Sequence, residues 1–101
     1  MNKEADPKEW LNVARKDWER MKRNLKEKDI GASSFFLQQS LEKFIKAYLL
    51  SHGWELKKVH HLDFLINEAA KYNPDLVKFK KICRPISSYY VLDAIPHLKL
   101  M

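Results

Sequence analysis

A single cysteine, Cys83, stands in 101 residues, so no disulfide can form within the chain and a disulfide-stapled secreted design is excluded. Glycine is almost as scarce. Two glycines and four prolines are too few for the many turns of an all-β protein, and no repeat or low-complexity segment is present. No run reaches the ~20 apolar residues of a membrane span, because Gln38, Gln39, Glu42, Lys43 and Lys46 interrupt the best stretch. The opening MNKEADPKEW is charged and has no apolar signal-peptide core. These absences read as a cytoplasmic chain with no membrane contact, and nothing in the residues calls for a cofactor.

Hydrophobic residues make up 46% of the chain and aromatic residues 12%, enough for one core in a single domain spanning 1–101. The net charge is +6, of which residues 1–30 hold +2 and residues 31–101 hold +4. Such an excess suits contact with phosphate or an acidic protein, although solvated helix faces give the same balance.

The stretch Ala32 to Leu50 predicts a central helix with no internal Gly or Pro. Ser34, Leu37, Leu41, Phe44, Ile45 and Tyr48 share one broad face, and Gln39, Glu42, Lys43 and Lys46 form a narrow polar stripe opposite. Phe35, Phe36 and Leu50 interrupt that stripe, so partners must cover the helix on more than one side. Before it, Trp10, Ala14, Trp18, Met21 and Leu25 recur at helical spacing on a first helix that runs to about Lys28. Asp6 is its N-cap and Pro7 its first turn. The opposite face is charged and includes Asp17. A break at Asp29 and Gly31 is short enough to force the two helices antiparallel.

Gly53 ends the central helix as a left-handed C-terminal residue. After a loop from Trp54 to Lys58, His60-His61 open a third helix carrying Leu62, Leu65, Ile66 and Ala69, which stops before Asn73-Pro74. Asp75 caps a fourth helix with Leu76, Phe79, Ile82, Cys83, Ile86, Tyr89 and Tyr90 on one side. Pro85 kinks it near Arg84, and Pro96 ends it. The expectation is an all-α, antiparallel up-and-down bundle of four helices, forming dimers.

The string FFLQQSLEKFIKAYLLSHG resembles the second helix of HEPN domains, where a Gln-Gln pair precedes Glu-Lys and a later Lys-Ala. Val59-His60-His61-Leu62 is similar to the family's Thr-His-Asp/Ser/Asn-Leu signature at the third helix. ISSYYVLDAIPH resembles its paired-tyrosine segment, and the likeness runs through Trp10–His97. It implies a helical bundle that commonly dimerises, in a prokaryotic setting beside a minimal nucleotidyltransferase of a toxin–antitoxin pair. Some members are metal-independent ribonucleases with an Arg, four to six residues, then a His on the fourth helix. Here the positions so spaced after Arg84 are Tyr89, Tyr90 and Val91, and none is His. Ala94 replaces the Arg of the family's Arg-Tyr-Pro element, and His97 stands where an acid is usual. The usual proton-transfer group and phosphate-stabilising cation are therefore missing from their places.

The reading that follows is a component that binds a nucleotide or RNA, or a nucleotidyltransferase, without strong catalysis of its own. Gln39, Lys43, Lys46, His60 and Arg84 are the residues expected to meet nucleotide or phosphate. The alternative is a ribonuclease built on a rearranged set of Arg84, His60, Tyr90 and Glu42. Adjacent positions on a helix point about 100° apart, which makes His60 and His61 poor co-ligands for a metal. Cys83 sits at a core-facing position and reads as a small hydrophobe. Tyr89 and Tyr90 could stack on bases or pack in a core or dimer interface. Lys78, Lys80, Lys81 and Arg84 form the densest basic run, either solvated or phosphate-binding. Glu42 and Lys43 read as a surface pair of small energetic weight.

Overall fold

The computed structural model describes residues 5–83, in which all regular structure is helical, as expected. Three α-helices, α1 (Pro7–Lys26), α2 (Ile30–Ser51) and α3 (Leu62–Ala70), are followed by a 3-10 segment at Pro74–Phe79. Residues 80–83 are again α-helical. Arg84, the Pro85 kink, Tyr89, Tyr90, Pro96 and His97 lie outside the described residues.

Asp6 caps α1 by accepting from the Lys8 amide at 2.9 Å, with Pro7 in the first turn, where its missing N–H costs nothing. Asp29 caps α2 in the same way, accepting from the Ala32 amide at 3.0 Å. Gly31 therefore lies inside α2 and does not break the chain. The left-handed residue of the connection is Lys28, with φ 62°. Trp10 meets Lys46, Ala14 meets Ser40, Asp17 meets Lys43, and Arg20 meets Phe36. Positions that rise along α1 broadly fall along α2, so the two helices are antiparallel.

The stripe of α1 that faces α2 differs from the apolar pattern of the sequence. Ala14 and Met21 are buried, but Trp18 and Leu25 are 38% and 52% exposed. Asp17, expected on the charged face, is only 2% exposed. The cause is close approach at small residues: Ser40 Oγ donates to the Ala14 carbonyl at 3.0 Å, and Ala47 and Ser33 are buried on the same helix. Helices that meet through Ala and Ser centre their contact there and leave larger side chains at its edges.

α2 ends in a Schellman turn. Gly53 (φ +87°) donates to the Leu50 carbonyl, and the Trp54 amide donates to that of Leu49. The turn folds Trp54 back onto Leu49, and both join Leu50, Leu65 and Ala69 in the main core cluster. Residues 54–61 then form a loop along α2. His60 belongs to this loop and His61 is the N-cap residue of α3, so the third helix begins at Leu62, after both histidines rather than at them. Asn73, not Asp75, caps the following segment: its side chain accepts from the Asp75 amide, and Pro74–Phe79 winds as a 3-10 helix. Two preorganised turn formers, Asn73 and Pro74, outcompete the later Asp. Cys83 is buried with Leu62 and Ile66, as its core-facing position suggested.

Candidate functional site

Half of the polar stripe of α2 is buried, and Gln39 and Lys43 are partly exposed. Glu42 and Lys46, one turn apart, are 3% and 2% exposed. Lys46 Nζ donates to Glu42 Oε2 at 3.0 Å, and its ammonium lies 5.2 Å from the centre of the Trp10 ring. Burying a lone charge is costly, so ion pair and aromatic face act together to hold this lysine inside. His60 Nδ1 lies 2.7 Å from the same Glu42 oxygen. A carboxylate can only accept, so Nδ1 carries the hydrogen and Nε2 is turned away from Glu42. Among the described residues Glu42 Oε1 is buried without a hydrogen-bond partner. The expected surface pair of Glu42 and Lys43 is thus replaced by two separate networks, each centred on a buried carboxylate.

Lys43 belongs to the second. Its ammonium meets Asp17 Oδ2 at 2.6 Å, while Arg20 meets Asp17 Oδ1 at 2.7 Å. A third buried carboxylate, Glu68 on α3, accepts from Trp54 Nε1 at 2.9 Å and pairs with Lys71 at 2.7 Å and Lys57 at 3.7 Å. The hydrogen bond from Lys71 and then that from Trp54 hold the Glu68 carboxyl below its ordinary pKa, against the opposing effect of burial. Glu68 thereby ties the 54–61 loop to α3. Gln38 ties it to α2, donating from Nε2 to the His60 carbonyl at 3.2 Å.

Between these elements lies a recess of about 320 Å³. Trp10 of α1 and Gln39, Lys43 and Lys46 of α2 form one side, and Lys57, Lys58 and His60 of the loop form the other, with Glu42 between. Three of its four lysines are each held by a buried carboxylate, one from each helix. Lys58 is exposed and has no ion-pair partner among the described residues. Cations fixed in position beside an aromatic wall are suited to an anion carrying a flat, stackable group.

Gln39, Lys43, Lys46 and His60, four of the five residues expected to meet phosphate, therefore share one recess; Arg84 lies outside the described residues. Of the rearranged ribonuclease set, Glu42 and His60 are in contact, and Arg84 and Tyr90 fall outside. Lys78 and Lys81 of the basic run are exposed and do not line the recess. Burial, helped by the Asp63 charge, pushes the Cys83 thiol up, which leaves it a poor nucleophile. Sequence patterning missed Trp10 as a wall, Asp17 and Glu68 as buried anchors, and Lys57 and Lys58 as site cations. For the two loop lysines the signal was adjacency to His60.

Neither the curated proteins nor the solved structures contain a match to this chain. A family model does match: the HEPN domain, over residues 7–99, which include every element described above. The helical hairpin, the loop histidine on the Glu-Lys helix and this match agree, and the chain belongs to the HEPN domain family.

Proposed function

We propose that the recess binds a phosphate-bearing ligand, a nucleotide or a single strand of RNA, and that the protein acts through binding. Membership of the HEPN family points to nucleotide- or RNA-related function and supports this reading. The observation that carries it is the convergence of Lys43, Lys46, Lys57 and Lys58 on one recess beside Trp10. Phosphate oxygens meet the cations, and a base stacks on the indole. Titration with oligoadenylate and with ATP at two salt concentrations tests it. Binding should weaken as salt rises, and Lys58→Ala should lower the slope of log K against log salt by about one for the strand. Flat titrations throughout would discard the reading.

One contact favours a second reading. An imidazole oriented by a carboxylate, as His60 is by Glu42 at 2.7 Å, has the form of a general acid/base. A ribonuclease using Glu42 and His60 with Arg84 and Tyr90 would lose RNA cleavage on His60→Ala and on Arg84→Ala. Cleavage surviving both substitutions would remove this assignment.

A homodimer, and association with a minimal nucleotidyltransferase, complete the proposal. The exposed Trp18, Leu25, Ile30 and Phe35 support a protein partner on the α1–α2 hairpin. Light scattering and co-purification with the product of a neighbouring nucleotidyltransferase gene test the two in turn.

A further inference from the structure

The recess holds one group that phosphate cannot satisfy. Glu42 Oε2 serves both Lys46 and His60, whereas Oε1 is buried and accepts nothing among the described residues. A buried carboxylate oxygen without a donor is unfavourable, and a wall of a binding recess is where such an oxygen can gain its donor from a ligand. Phosphate oxygens of a nucleotide carry no hydrogen at neutral pH and would be repelled. The missing partner must be a neutral donor close to the phosphate, and the sugar hydroxyl of a ribonucleotide is one.

We propose that Glu42 is a specificity-determining acceptor, whose Oε1 takes the 2′-hydroxyl of a ribonucleotide while the lysines hold its phosphate. The inference rests on the phosphate-binding reading of the same recess. His60 occupies the neighbouring oxygen, Oε2. Its side chain is 75% exposed, and its one side-chain hydrogen bond among the described residues is to Glu42. Because His60 and Lys46 both bond Oε2, a ligand hydroxyl on Oε1 adds a donor to Glu42 and displaces neither.

The test compares oligoadenylate with the same strand carrying 2′-fluoro groups, which keep the ribose size and pucker but cannot donate. Wild-type protein should bind the hydroxyl strand about tenfold more tightly, the worth of one hydrogen bond to a charged acceptor. Both strands should show the same salt slope, since the phosphates are unchanged. Glu42→Gln places an amide donor or a weaker acceptor at this position and should reduce the preference to less than about threefold while the fluoro strand still binds. Equal binding of both strands by the wild type would overturn the inference and leave the phosphate reading intact. Absence of binding by either strand would overturn both.

Discussion

Lys46 is the most deeply buried charge in the described residues, and its pairing makes a definite energetic claim. Removing it strands Glu42 inside with the imidazole of His60 as its one remaining partner. Lys46→Met should therefore lower stability by about 3 kcal/mol in urea unfolding. Replacing both partners, Glu42→Leu with Lys46→Met, should recover most of that loss, because the buried charge then goes too. A double variant no more stable than the single one would show that the pair does not carry the cost. Glu68 makes a claim about pH. Its folded-state pKa is lowered from an ordinary value near 4.5, so its stabilisation is complete above that pH and is lost as pH falls through the lower folded value. Thermal melts on the acid side should steepen accordingly, and Glu68→Gln should flatten them. The Gln variant should also be less stable at neutral pH, where Lys71 and Lys57 lose their charge partner.

Two turns position the elements, and each depends on a left-handed residue. At Gly53 a Cβ would meet nothing within 4 Å, so Gly53→Ala isolates the conformational cost at φ +87° and should destabilise by about 1 kcal/mol. At Lys28 the same strain is already present, with φ 62° on a side chain that gains nothing from it. Lys28→Gly should then stabilise by about 0.5–1 kcal/mol, part of the gain being offset by the freer unfolded chain. Denaturant midpoints of the two variants should move in opposite directions. These turns also show where sequence reasoning stops. Gly53 was legible because a Gly directly after an apolar helix signals its C-terminal turn. Lys28 was not, since nothing about a lysine announces a left-handed backbone, and the break expected at Asp29 and Gly31 falls at Glu27 to Asp29. The 3-10 segment at Pro74–Phe79 was hidden in a similar way: its apolar spacing reads as α-helix, and the Asn73-Pro74 start decided otherwise.

Across the molecule, class and order of helices followed from apolar periodicity, which is insensitive to individual contacts. Burial did not follow, because hydrophobicity is a poor guide where small residues let helices meet closely. Ala14 and Ser40 draw α1 and α2 together, so Asp17 is buried and Trp18 is left at the rim. The polar stripe of α2 lines the recess beside that contact. Four of the residues expected to meet phosphate line that recess, and their grouping was legible as the stripe and the loop histidine. Their supports were not, since Asp17 and Glu68 gain their roles only from contacts across helices. No described helix is long and apolar enough to cross a membrane.

The central claim is that carboxylate-held lysines around Trp10 form the ligand site, and mapping the bound ligand on isotope-labelled protein tests it most directly. Nitrogen–proton spectra recorded during titration with oligoadenylate should shift first at the Trp10 indole, at residues 39–46 and at residues 57–60. Shifts confined to Lys78–Lys81, or a saturating titration that leaves the Trp10 indole and the 57–60 amides unmoved, would contradict it.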